Sequence, residues 1–298
     1  MLWLFALITL YLVILAIAAY VSTHPPRIPF YFSPASLGGP AEPVSIPGEL
    51  GDLRGWWMPG PPNAPVLIFA HGYVMNRCEL APNAYFLWRR GYNCLLFDFR
   101  AHGTSAGRVC SVGPKEARDV EAAAAWAREH RPGVPLAYIG ASMGAAAGTF
   151  AQAEGRVQFS ALILDSCYNR LPVSMNAWWR LFGGAFSANL LWPVPVVAAL
   201  WARVWPYRIR VDKTLARLPD TPILFAHGER DRLAPKTEAE ANIAAHRGPH
   251  HVVWFEGAGH CDGRLREPER YHTEILRFLA QNRLGPGSPP PIDAERPS

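Results

Sequence analysis

Short unbroken apolar runs alternate with longer helix-patterned stretches from residue 43 to residue 281, and few architectures accommodate that rhythm. The runs are Pro43–Ile46, Leu53–Met58, Val66–Ala70, Asn93–Phe97, Leu136–Ile139, Ala161–Leu164, Pro222–Ala226 and His251–Phe255. Most lack a polar break, the mark of strands covered on both faces. Between them, Pro114–His130 carries proline in its first turn and apolar positions at Ala117, Val120, Ala124 and Ala127, one face of a helix. Ala145–Glu154, Lys236–Ala245 and Glu267–Gln281 read as further helices. The alternation predicts an α/β chain with a mostly parallel, eight-stranded sheet and helices on both faces. In such sheets chemistry collects beyond the carboxyl ends of the strands. A chain of 298 residues, 50% hydrophobic and 18% charged, is neither disordered nor low in complexity. One large globular unit is expected at residues 42–284.

Two stretches at strand ends match G-x-S-x-G: Gly103-Thr104-Ser105-Ala106-Gly107 and Gly140-Ala141-Ser142-Met143-Gly144. A nucleophile elbow needs a strand before the serine and a helix after it, because the tight turn lifts the hydroxyl above the sheet. Ser142 has both; Ser105 follows its strand only across Arg100-Ala101-His102 and is succeeded by more loop. A serine hydroxyl needs a base, and the base an orienting acid. Asp231 follows the strand Pro222–Ala226, and His260 ends the loop after His251–Phe255, which gives the order Ser142, Asp231, His260. Glu229 and Asp262 are rival acids, although Asp262 adjoins the histidine and would struggle to reach its ring. Two backbone N–H groups are needed to hold an oxyanion. Met143, next to the serine, and Tyr73, in the His71-Gly72-Tyr73 bend after Val66–Ala70, are the expected donors. His71 is expected to shape that bend. No metal, nucleotide or flavin motif is present, and no cofactor is expected. Cys78, Cys94, Cys110, Cys167 and Cys261 are odd in number and widely spaced, which argues against a disulfide framework.

Residues Met1 to Val21 contain one polar side chain, Thr9, and no charge. At about 1.5 Å per residue such a helix matches the roughly 30 Å hydrocarbon core of a bilayer. A single-pass N-terminal membrane anchor over residues 1–22 is expected, with the side of the membrane left open. A cleaved signal peptide is the alternative, since Ala16-Ile17-Ala18 resembles a cleavage site, but no basic residue precedes the apolar stretch. A Pro-rich linker is read at 23–41 and a disordered tail at 285–298. Between Leu164 and Pro222 the chain is longer than a crossover requires, so a helical cap is expected at about 167–219, carrying Trp178, Trp179, Trp192, Trp201 and Trp205. The formal net charge of +5 resides there: residues 166–211 hold Arg170, Arg180, Arg203, Arg208 and Arg210 and no Asp or Glu. No basic cluster is dense enough to suggest nucleic acid; the expectation is that this cap faces anionic lipid headgroups.

These motifs together resemble the α/β-hydrolase superfamily over about residues 42–284. The likeness is carried by His71-Gly72, Asp98-Phe99-Arg100 with His102-Gly103, the Ser142 elbow, His227-Gly228 through Asp231 and Pro235, and Gly259-His260. With its N-terminal anchor the chain is similar to the membrane-anchored branch related to monoacylglycerol lipases and protein palmitoyl-thioesterases, departing from it at Ala101, where Arg-Gly is usual. The resemblance implies an α/β-hydrolase fold and cofactor-free hydrolysis of an ester, thioester or amide, without saying which acyl compound. With the anchor and the apolar cap, the expected partners are a small-molecule acyl ester or thioester and a membrane lipid surface. An aminopeptidase or amidase of the same fold and a non-catalytic membrane-anchored interaction protein are the alternatives.

Overall fold

The computed structural model describes residues 1–218 and 220–286; residue 219 of the expected cap and residues 287–298 of the expected tail lie outside the described residues. Eight strands, β1 (Glu42–Ile46), β2 (Leu53–Met58), β3 (Val66–Ala70), β4 (Asn93–Phe97), β5 (Leu136–Ala141), β6 (Ala161–Asp165), β7 (Ile223–Gly228) and β8 (His250–Phe255), form one sheet in the order β1-β2-β4-β3-β5-β6-β7-β8. Only the β1–β2 and β2–β4 pairs are antiparallel. From β4 to β8 every neighbour is parallel. The helices are α1 (Leu2–Thr23), α2 (Ala81–Trp88), α3 (Ala117–His130), α4 (Met143–Ala153), α5 (Leu171–Leu190), α6 (Val194–Ala202), α7 (Val211–Leu215), α8 (Lys236–Ala245), α9 (Gly263–Arg266) and α10 (Pro268–Gln281). This is the α/β-hydrolase fold.

The apolar runs are continuous because successive side chains of one strand feed two different cores. In β3, Val66, Ile68 and Ala70 join a cluster with Val120 and Ala124 of α3 and Ala146 and Ala147 of α4. Leu67 and Phe69 join the opposite cluster with Ala84 and Leu87 of α2 and Ile275 and Phe278 of α10. Helix α2 is unmarked by the apolar periodicity, and α4 begins at Met143, two residues before the expected start. All five cysteines are free and buried.

The cap is an angular hairpin. Helix α5 is broken at Gly183 (φ −134°, ψ 15°) and Gly184 (φ 68°, ψ −162°), the second in a conformation natural only to glycine. Helices α5 and α6 meet at 98°. Against α6 lies α1: Leu15, Ala18 and Ala19 pack with Leu191, Val194 and Ala198, and the Tyr11 hydroxyl donates to the Leu190 carbonyl at 2.9 Å. Helix α1 is the one described helix that alone is long and apolar enough to cross a membrane, with 22 residues and mean hydropathy 2.6. The Pro-rich stretch after it is strapped to the globular body. Arg27 donates to the carbonyls of His102, Gly103 and Gly107 at 2.7–3.1 Å. Asn76 reaches the carbonyls of Ile28 and Pro29, and the Arg77 guanidinium lies over the adjacent rings of Phe30 and Trp56, each 4.5 Å away.

Candidate active site

Strand β5 ends at Ala141 and α4 begins at Met143, so Ser142 alone makes the turn, with φ 51° and ψ −110°. A non-glycine residue there is strained, and strain of this kind persists only where the surroundings enforce it. They do. A Cβ on Gly140 would lie 2.6 Å from the Ala145 nitrogen, and one on Gly144 would lie 2.3 Å from the Ala70 carbonyl oxygen, so both positions require glycine for the strand, turn and helix to close. The Ser142 N–H donates to the Asp165 carbonyl at the end of β6 at 2.8 Å. The hydroxyl is thereby lifted above the carboxyl edge of the sheet.

The loops after β7 and β8 bring Asp231 and His260 to it. Ser142 Oγ lies 2.8 Å from His260 Nε2, and His260 Nδ1 lies 2.7 Å from Asp231 Oδ2. Asp231 Oδ1 accepts the N–H groups of Leu233 and Ala234, both at 2.8 Å, which fixes the carboxylate plane. A carboxylate can only accept, so in the neutral ring Nδ1 carries the imidazole proton and Nε2 faces the serine as an acceptor. Burial works against a charged imidazole, but contacts with Cys261 and the Asp231 carboxylate outweigh it, leaving the His260 pKa well above 6.5. The rival acids are engaged elsewhere: Glu229 pairs with Lys236 at 2.7 Å and Asp262 with Arg266.

Ser105 is buried and structural, its hydroxyl donating to the Asp98 carbonyl at 2.6 Å and accepting from the Arg54 N–H. His71 shapes the bend after β3: Nδ1 donates to the Gly72 carbonyl at 2.8 Å and Nε2 accepts the Phe99 N–H at 3.0 Å. Burial drives its pKa down to about 4, so it is neutral. That bend sets Gly72 beside the serine, where a Cβ would lie 3.5 Å from Ser142 Cβ. Among the described residues the Tyr73 N–H has no backbone acceptor. The Met143 N–H, first of α4, has none within its helix by position.

Sequence reasoning missed a buried ion cluster behind this bend. Arg264 of α9 donates to Asp165 Oδ2 at 2.8 Å and to Glu79 Oε1 at 2.5 Å. Glu79 Oε2 in turn accepts the Gly72 N–H at 2.6 Å. Burial opposes the Arg264 charge, and Glu79, Cys261 and Asp165 around it hold it protonated. The one local signal was Asp165, a carboxylate closing an otherwise apolar run.

A cavity of about 510 Å³ opens over Ser142 and His260, mostly apolar, with Tyr73, Met75, Leu171, Met175, Trp178 and Trp179 in its wall. Of the five cap tryptophans, Trp178 and Trp179 face this space, Trp201 packs near Tyr20, and Trp192 and Trp205 are exposed. The cap charge is smaller than its sequence suggests: Arg170 pairs with Glu238 and Arg210 with Asp212, both at 2.5 Å. Arg180, Arg203 and Arg208 remain exposed.

A family model described as "Serine aminopeptidase, S33" matches residues 61–198. The chain is 25% identical over 244 residues to the uncharacterized protein YqkD of Bacillus subtilis, covering 78% of this chain and 77% of that one. It is 28% identical over 233 residues to the uncharacterized protein Rv2307c of Mycobacterium tuberculosis, covering 77% and 75%. Among solved structures, an esterase of Pyrococcus furiosus superposes with a TM-score of 0.71 at 26% identity, covering 87% of this chain and 98% of the esterase. The elbow and the bend before it lie within the segment matched by the family model, whereas β7 and β8, whose loops carry Asp231 and His260, lie outside it. The chain shares the α/β-hydrolase fold of the Pyrococcus furiosus esterase.

Proposed function

We propose that this protein is a membrane-anchored serine hydrolase that cleaves an acyl ester or thioester, with a lipid-derived acyl group as its substrate class. The observation that carries the reading is the connected line Asp231–His260–Ser142, with contacts of 2.7 and 2.8 Å, under a largely apolar cavity. His260 Nε2 takes the proton of Ser142 Oγ as the oxygen attacks the acyl carbon, and Asp231 stabilises the imidazolium. The carbonyl oxygen, now anionic, accepts from the Met143 and Tyr73 N–H groups. Collapse breaks the bond to the leaving group, which receives the proton from His260. Water, deprotonated by the same imidazole, then attacks the acyl-enzyme and releases the acid and free Ser142.

Support for the lipid end of the reading comes from the surface. Phe182, Phe186 and Leu200 of the cap are 69%, 77% and 75% exposed on the hairpin that packs against α1. Large exposed apolar side chains in one region mark an interaction surface, and Arg180, Arg203 and Arg208 of the cap, which form no ion pair among the described residues, suit anionic headgroups. The family model favours a second reading, an aminopeptidase. An amine-binding site needs a free carboxylate, however, and Glu79, the one carboxylate among the described cavity-lining residues, is held at both oxygens by Gly72 and Arg264. A fluorophosphonate probe tests the chemistry: full-length protein labels and Ser142→Ala does not. Undiminished labelling of that variant would remove the assignment. Faster turnover of dipeptide amides than of p-nitrophenyl esters would favour the peptidase.

A further inference from the structure

The cavity over Ser142 has one wall that the sheet and its crossover helices do not supply. Val21 and Ser22, in the last turn of α1, and Pro26 just beyond it line the same space as Trp178 and Trp179. This turn is held in place from several sides. The Tyr73 hydroxyl donates to the Val21 carbonyl at 3.2 Å, and the Cys110 N–H donates to the Thr23 carbonyl at 2.8 Å. Thr23 is buried, and upstream the buried face of α1 lies on α6. The end of the anchor is therefore gripped by the bend after β3, by the loop at Cys110 and by the cap. The charged lining of the cavity, Glu79 and Arg264, is already satisfied by its own ion pair. What is left to hold a substrate chain is mostly apolar, and α1 contributes part of it.

We propose that the last turn of α1 is a wall of the acyl-binding channel and that Val21 limits the acyl chain length accepted, an inference that rests on the serine-hydrolase reading above. The apolar helix is then a piece of the substrate site as well as a tether. A chain cut after Ala18 would keep Ala19 and Val21 but lose Leu15 and Ala18, two of the three α1 residues buried against Leu191, Val194 and Ala198, which weakens the contact that steadies the turn.

The test uses full-length protein in detergent micelles and a series of p-nitrophenyl acyl esters from acetyl to dodecanoyl. Val21→Trp narrows the channel: kcat/KM for acetyl stays within about twofold, while each buried methylene shut out lowers the rate on long chains about fourfold. Val21→Ala only removes atoms, so it serves if the larger substitution misfolds; it is expected to move the preferred length to longer chains. Leu10→Trp, on an exposed face of α1, leaves the profile unchanged. Chain-length profiles of Val21→Trp and Val21→Ala that both parallel wild type overturn the proposal, as does a Leu10→Trp shift equal to theirs. Wild-type protein that neither labels with fluorophosphonate nor cleaves any ester overturns the underlying hydrolase reading, and this inference with it.

Discussion

Replacing Asp231 by asparagine changes one oxygen to an amide nitrogen, and the surroundings decide which way the amide sits. Oδ1 accepts two backbone N–H groups, from Leu233 and Ala234. If the amide nitrogen took that place, three donors would face one another and two buried hydrogen bonds would be lost, about 1–3 kcal/mol each. At the lower figure the flipped orientation is populated to about 3%. In the favoured orientation the amide donates to His260 Nδ1, which must become an acceptor. The ring proton then moves to Nε2 and points at Ser142, where an acceptor is required. The tautomer alone thus costs at least about 30-fold, and loss of the charge that stabilises the imidazolium brings the total toward about 10⁴-fold in kcat, or about 5.4 kcal/mol. Folding should be nearly unaffected at a pH above the His260 titration, where no imidazolium gains from the Asp231 charge and both backbone N–H groups keep their acceptor. The assay is kcat on p-nitrophenyl acetate alongside the thermal midpoint of each protein. A loss smaller than tenfold at an unchanged midpoint would falsify the role given to Asp231.

Three further outcomes follow from other contacts. Gly144→Ala puts a Cβ 2.3 Å from the Ala70 carbonyl oxygen, and relieving that clash costs about 1–3 kcal/mol; urea unfolding should show the loss, and kcat should fall as the elbow shifts away from His260. Arg264→Met leaves Glu79 and Asp165 buried without their cation, a destabilisation of about 3–5 kcal/mol, with a lower kcat because Glu79 holds the Gly72 N–H. An equal midpoint for this variant and wild type would contradict it. The raised His260 pKa means that the imidazole is protonated, and unable to act as a base, up to a pH above 6.5. The rate should therefore fall as pH drops through a midpoint above 6.5. The stability that the protonated ring gains from Asp231 is complete below pH 6.5 and is lost as pH rises through that same folded-state value. A kcat/KM profile flat from pH 6 to 9 would contradict this assignment.

The central strands β3 to β7 were legible because burial on both faces leaves few polar residues to interrupt them, and β4 spans the expected Asn93–Phe97. Strand β8, only partly buried, was legible from its Val252–Phe255 stretch and gains His250. The elbow position of Ser142, against that of Ser105, was legible for a different reason: only the Gly140–Gly144 stretch is followed by helix-forming alanines. Helix α2 escaped because Ala81-Pro82 opens it and its short apolar pattern has no clear polar face. Arg264 escaped for a stronger reason. It sits among Asp262, Arg266, Glu267 and Glu269, a composition that reads as solvated surface, and the carboxylates that bury it come from positions 99 and 185 residues away. A pairing at that separation leaves no local trace. The cap charge was overread for a related reason, since Glu238, which neutralises Arg170, belongs to α8.

The straps on the proline-rich stretch matter for more than packing. A flexible leash would let the catalytic body swing through a volume and sample substrates at many heights above the bilayer. Here Arg27, Asn76 and the Arg77–Phe30 contact fix that stretch to the body directly after the apolar helix. In the anchored reading the enzyme has little rotational freedom relative to the membrane normal, and its cavity stays at one depth. Its encounters are then two-dimensional: turnover would scale with molecules of substrate per unit area of bilayer, and diluting the bulk solution at constant lipid composition would leave the rate unchanged.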